Sequence, residues 1–206
     1  MKRGEKVMTI SLVKGQKVDL TKGNVGLTNI TVGLGWDPVQ AKRKGWFGMK
    51  KKVENIDCDA SAILLNTNGK LTKEQNLVCF HNLRSLCGSV IHSGDNLTGD
   101  GDGDDEQIHV ALNKVPADVE KILVCVNIYQ CDVRGQDFGM IQSAYIRVIN
   151  AANQTELIRF NLTDNYAGMT ALLVGELYRH NGEWKFNALG EGTHAAHIDI
   201  LARRYT

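Results

Sequence analysis

The 206-residue chain predicts an all-β fold, an antiparallel β-sandwich in one domain with short helical segments and a candidate helix at the C-terminus. Three observations predict it. Short apolar segments recur with period two, separated by turn residues. One stretch, Ile122-Leu-Val-Cys-Val-Asn-Ile-Tyr129, is nearly continuously apolar, as a central sandwich strand should be. No sustained amphipathic helix breaks the series, and no repeat, linker or low-complexity segment is long enough to divide it.

Taken in order, residues 8–13 place Ile10 and Leu12 on one face of a strand, and residues 29–35 do the same with Ile30, Val32 and Leu34. The second strand ends in Gly33-Leu-Gly-Trp-Asp37-Pro38, where glycines permit close approach, Trp36 packs, and Asp-Pro turns the chain. Residues 56–66 form a strand with Asp57, Asp59 and Ser61 on one face and Cys58, Ala60 and Ala62 on the other. Strand character resumes at 76–80 and in the alternation of Ile108, Val110 and Leu112. Pro116 suits the start of one helical turn over 115–121. Residues 134–139 read as a loop. Residues 143–150 and 156–162 read as a hairpin, and 170–178 and 183–189 as another, closed by Asn181-Gly182, the strongest short hairpin signal. In the tail, 193–206, residues 193–204 are the candidate helix, with His194 and His197 three apart.

Composition narrows the function. With 43% hydrophobic residues the chain can build a real core. Its net charge of +1 argues against bulk nucleic-acid binding, and no specific nucleic acid is expected. The apolar stretch 7–13 is short and broken by Thr9 and Ser11, unlike a secretory signal, and no run approaches a membrane span. A soluble, cytoplasmic protein is the expectation. Five cysteines without C-x-x-C spacing fit neither a disulfide framework nor structural zinc, so reduced and mostly buried thiols are expected.

The segment Asp95-Asn-Leu-Thr-Gly-Asp-Gly-Asp-Gly-Asp-Asp-Glu106 departs from this ordinary pattern. It holds six carboxylates and three glycines, and no Lys or Arg occurs between Arg84 and Lys114. Two such charges about 4 Å apart repel by roughly 4 kcal/mol at an effective dielectric of about 20. The segment therefore either stays extended in water or is gathered by a cation. Carboxylates, glycine-freed carbonyls and the Asn96 amide suit a hard divalent ion, calcium above all. An EF-hand is excluded, since a loop starting at Asp100 would need glycine at Asp105 and glutamate at Ala111. Residues 41–54 form a contrasting basic and aromatic insertion, from Lys42 to Lys52, a candidate surface for anionic membrane or another polyanion.

These motifs together resemble the TerD family of bacterial tellurium-resistance and stress proteins. The resemblance is carried by Val32-Gly-Leu-Gly-Trp-Asp37, Asp57-Cys-Asp-Ala-Ser61, Gly94 to Glu106, Phe138-Gly-Met140 and Gly175-Glu-Leu-Tyr-Arg-His-Asn-Gly-Glu-Trp-Lys-Phe186, in family order over about residues 8–192. It implies a β-sandwich binding two calcium ions, with no catalytic activity. It also implies a metal-ordered surface that engages other stress-system proteins, including a membrane-associated complex at the inner membrane face. Carried over by motif, the implied metal ligands are Asp57, Asp59, Asp95, Asn96, Asp102, Asp104, Asp105, Glu106 and Asp164. The chain departs from the family in its longer basic insertion and in Asn165-Tyr-Ala-Gly-Met169, which follows Asp164 where an acidic run is usual.

Two other readings compete with this one. A metal-assisted hydrolase could use the same carboxylates, but no nucleophile motif, P-loop or dinucleotide fingerprint accompanies them. Direct thiol chemistry on tellurium finds no cysteine in a marked cationic setting except Cys131 near Arg134.

Overall fold

The structure, a computed structural model, describes residues 9–38, 55–96, 103–162 and 166–206. Twelve strands run in the order β1 (Ile10–Ser11), β2 (Lys17–Asp19), β3 (Asn29–Pro38), β4 (Cys58–Asn66), β5 (Leu77–Val78), β6 (Val90–His92), β7 (Glu106–Ala111), β8 (Val119–Ile128), β9 (Ile141–Asn150), β10 (Thr155–Asn161), β11 (Ala171–His180) and β12 (Glu183–Thr193). They form two six-stranded sheets, ordered β1-β10-β9-β3-β7-β6 and β2-β12-β11-β8-β4-β5. All pairings are antiparallel except the short β1–β10 contact. The antiparallel sandwich expected from the alternating pattern is the fold observed.

Alternation explains the core. Ile30, Val32, Leu34 and Trp36 of β3 face Cys58, Ala60, Ala62 and Leu64 of β4 across a common interior, joined by Ile146, Val148, Leu177 and Phe186. Trp36 is buried and its indole N–H donates to the Ile56 carbonyl at 3.0 Å, which satisfies the one polar atom it brings inside. The β11–β12 hairpin turns at Asn181 and Gly182, with φ of 52° and 79°, the two positive values a type I′ turn needs.

A second apolar layer covers the outside of the β8-centred sheet. Ile63, Leu65, Leu123, Cys125 and Leu173 point away from the sandwich and would be wet but for the C-terminal segment. Helix α2 (Ile198–Ala202) buries Ile198, Leu201 and Ala202 on them, and the Leu71 N–H donates to the Tyr205 carbonyl at 2.7 Å. That double burial is why β8 reads as continuously apolar. His194 is exposed, with Nδ1 3.0 Å from the Gly168 carbonyl.

Three local expectations give way to the structure. Residues 115–121 do not make a helical turn: a 3-10 turn lies earlier, at Leu112–Lys114, and β8 already begins at Val119. Pairing with both β4 and β11 and burial of Val119 outweigh the start signal of Pro116. The expected loop at 134–139 instead closes helix α1 (Cys131–Arg134), capped by Gly135 in the left-handed region, and ends in a 3-10 turn at Phe138–Met140. Strands β2 and β6 were not foreseen, because each is only three residues long. No helix among the described residues is long and apolar enough to cross a membrane.

Candidate metal centre

Asp57 precedes β4 and Asp59 lies within it, on the face opposite the sandwich core and in line with Ser61, Ile63 and Leu65. Asp95 comes from the segment leaving β6. Asp57 and Asp59 are buried and Asp95 is exposed, yet each offers a carboxylate oxygen within 4.8 Å of the others. Two oxygens that share one calcium at 2.3–2.6 Å lie no more than about 5.2 Å apart, so the trio fits a single ion.

The electrostatics of the trio are unfavourable without a cation. Burial, then the charge of Asp95, push the Asp57 carboxyl up to about 6 against the opposing pull of Arg134. Asp59 goes further, to about 8, through burial and the charges of Glu106, Asp57 and Asp95, although Asn127 Nδ2 donates to it at 3.0 Å. Among the described residues Asp57 Oδ1 is buried without a hydrogen-bond partner. A buried carboxylate oxygen in that condition is destabilising unless something positive reaches it. The donor set is carboxylates and amide groups, which suits a hard cation.

The other implied ligands are distributed differently. Glu106 opens β7 and is buried; its Oε2 accepts from the Ala60 N–H at 2.6 Å and lies 3.3 Å from His92 Nε2, while Oε1 accepts from the Asn96 N–H at 3.3 Å. Asp105 accepts from the Trp36 N–H at 2.9 Å and from Asn96 Nδ2 at 3.3 Å, and burial holds its carboxyl above the usual range. With Asp37, Gly35, Gly103, Ser143 and Tyr145 it borders a separate recess of about 190 Å³. Asp104 is turned onto the outer face of the other sheet, where Arg147 Nε donates to it at 2.6 Å and Gln107 Nε2 at 3.1 Å. Asp102, Asp164 and the Lys42–Lys52 insertion lie outside the described residues.

The glycines of Gly33-Leu-Gly have a role in this arrangement. A Cβ on Gly33 would collide with the Asp104 carboxylate, and one on Gly35 would sit 2.5 Å from the Tyr145 ring. Tyr145 is pinned there, its hydroxyl donating to the Gly103 carbonyl at 2.6 Å and Arg159 stacking 4.1 Å from its centroid. Gly35→Ala is expected to destabilise the protein by about 1–3 kcal/mol through overpacking. In urea unfolding that loss should largely vanish in a Tyr145→Ala background; an equal loss in both backgrounds would place the strain elsewhere.

Sequence reasoning missed three side chains. Arg147 supplies to Asp104 a cation that the acidic segment lacks locally, and Arg134 supplies one to Asp57; Arg147 occupies an outward position between Ile146 and Val148, a signal available in the alternation. His92 sits two residues before the Gly-Asp-Asn motif and is buried. Of the cysteines, Cys58, Cys79, Cys125 and Cys131 are buried as expected, but Cys87 is exposed. Burial raises its thiol, and hydrogen bonds from Ser85 and Ser89 outweigh that and leave it lowered. A recess of about 580 Å³ lies away from the carboxylate trio, between residues 71–77 and the C-terminal segment beside Asp199 and Arg203.

Comparison with known proteins follows the same lines. The model of the TerD domain matches residues 8–205. "Stress response protein SCP2" of Bacillus subtilis (strain 168) is 54% identical over 200 residues, covering 96% of this chain and all of that one. "Tellurium resistance protein TerD" of Serratia marcescens is 45% identical over 185 residues, covering 90% of this chain and 91% of that one. The crystal structure of a homologue of telluride resistance protein (TerD) from Streptomyces coelicolor A3(2) superposes with a TM-score of 0.67 at 23% identity, covering 88% of this chain and 99% of that one. That last likeness concerns the fold alone.

Proposed function

The chain belongs to the TerD family, and from that premise and the carboxylates at the head of β4 we propose that it is a non-enzymatic, calcium-binding stress-response protein of the tellurium-resistance type. The observation that carries the reading is the trio of Asp57, Asp59 and Asp95, two of them buried, with Asp57 Oδ1 lacking a partner among the described residues. The names of its relatives, stress response and tellurium resistance, support the cellular role.

In this reading Asp57, Asp59 and Asp95 hold one ion, with Asn96 beside them, and Asp105 with Asp37 is the candidate for a second. Asp102 and Asp164 are further expected ligands. Glu106 and Asp104, already engaged by backbone N–H groups and by Arg147, support the segment on either side. Bound calcium would supply the positive charge that three converging carboxylates need, and so order the acidic segment on the sandwich. The surface so shaped would engage other stress-system proteins in the cytoplasm, with Lys42–Lys52 as a secondary contact to anionic membrane.

Chelator-treated protein should bind calcium, and at about 100 times the dissociation constant the native state should gain about 2.7 kcal/mol. For a chain of this size that is a rise in melting temperature of about 5–10 °C. Metal analysis of protein purified with calcium should count the ions. A melting curve unmoved by millimolar calcium would sink the reading.

A further inference from the structure

We propose that His92 is the positioning residue of this candidate site, the group that holds Asp95 over Asp57 and Asp59. The inference rests on the calcium reading and adds to it a residue outside the ligand set.

Asp95 is exposed and brings a third carboxylate toward two buried ones. Repulsion alone would swing it into solvent, so its place must be maintained by the backbone on either side. Those two attachments are visible. The Gly94 N–H, just before Asp95, donates to His92 Nδ1 at 3.1 Å, and the Asn96 N–H, just after it, donates to Glu106 Oε1 at 3.3 Å. His92 and Glu106 also meet each other, Nε2 to Oε2 at 3.3 Å, with both side chains fully buried.

The ring's hydrogen follows from this geometry. Because Nδ1 accepts from Gly94, the hydrogen is on Nε2, which points at the Ala60 carbonyl, 3.1 Å away. Ala60 directly follows Asp59, and its own N–H donates to Glu106. One end of the imidazole is therefore fixed beside Asp59 and the other beside Asp95. It acts as a rigid spacer between the strand that carries two carboxylates and the segment that carries the third. Outer partners of this kind typically change metal affinity by about 10–100-fold when lost.

Asparagine and glutamine separate the two ends of the ring. An asparagine amide falls near Nδ1 and can accept from Gly94, whereas a glutamine amide falls near Nε2 and can donate to Ala60. The test uses the full chain, treated with chelator, with calcium itself as the titrant. His92→Gln should weaken calcium binding by about 10–100-fold while moving the calcium-free melting temperature little. His92→Asn should lower the calcium-free melting temperature yet keep the dissociation constant within about 3-fold of the parent. Hydrogen exchange supplies a readout that needs no calcium: the Gly94 amide of the parent should be protected, and more exposed in His92→Gln than in His92→Asn.

The proposal is overturned if His92→Gln binds calcium as the parent does. It is equally overturned if the two variants lose affinity in step with their loss of stability, or if the parent's Gly94 amide exchanges like an open loop. A parent that binds no calcium instead removes the functional reading, while the exchange data still report whether His92 holds the segment.

Discussion

Replacing Glu106 with alanine should destabilise the protein by about 4 kcal/mol. The carboxylate lies where the sheets approach at the β4 and β7 corner. There β5 pairs with β4 only at Ala62 and Ile63, so the N–H and C=O of Ala60 find no strand beside them. Side chains take the strand's place: Glu106 Oε2 accepts from the Ala60 N–H at 2.6 Å, and His92 Nε2 donates to its carbonyl at 3.1 Å. Truncation to alanine leaves the buried Ala60 N–H short of an acceptor, removes the half-buried contact to the Asn96 N–H and opens a cavity. Each unsatisfied buried group costs about 1–3 kcal/mol and the cavity adds to it. Glu106→Gln keeps an oxygen for one of the two donors and should lose about 1–2 kcal/mol. Urea unfolding of the chelator-treated proteins separates these. An alanine variant within 1 kcal/mol of its parent would mean that water satisfies the Ala60 edge and that Glu106 does not close the corner.

The sandwich was legible in the chain because period-two burial leaves a direct trace: the inward residues of β3, β9 and β11 are apolar almost without exception. The outer apolar layer was not. Ile63, Leu65 and Leu123 read as ordinary core residues, and nothing in their own strands shows that a helix 75 residues or more further along covers them. For the candidate centre, Asp57, Asp59 and Asp95 were identified by motif and are brought together. Asp104, in the same acidic run as Asp95, is drawn away by Arg147, and that partner comes from a strand whose register no local pattern reveals. Charge counted along the segment therefore overstated its isolation. Folding supplies Arg147 to Asp104 and Arg134 to Asp57, and leaves Asp59 with the least compensation.

That imbalance predicts how stability depends on pH. Burial, and then Glu106, Asp57 and Asp95, raise the Asp59 carboxyl to about 8, whereas an unfolded aspartate titrates near 3.9. Between those values the native chain keeps a proton that the unfolded chain has released. The unfolded state binds fewer protons, so stability falls as pH rises through the window. The penalty is absent below about pH 4 and complete above about pH 8. One pKa unit corresponds to about 1.4 kcal/mol; even if sharing with Asp57 halves the effect, Asp59 weakens the calcium-free protein by about 3 kcal/mol at pH 8 relative to pH 4. Asp59→Asn removes the titrating group and keeps a polar side chain beside Asn127. Measured as the difference from the parent without calcium, its stability should match at pH 4 and exceed the parent's by about that amount at pH 8. Calcium pulls the other way, because it takes ionised carboxylates and binds more tightly as pH rises. Saturating calcium at pH 8 should stabilise the parent by about 2.7 kcal/mol, leave the variant nearly unmoved, and so close most of the gap. A difference curve flat from pH 4 to pH 8 would show that Asp59 is ionised throughout, and that the chain's own cations already balance the site.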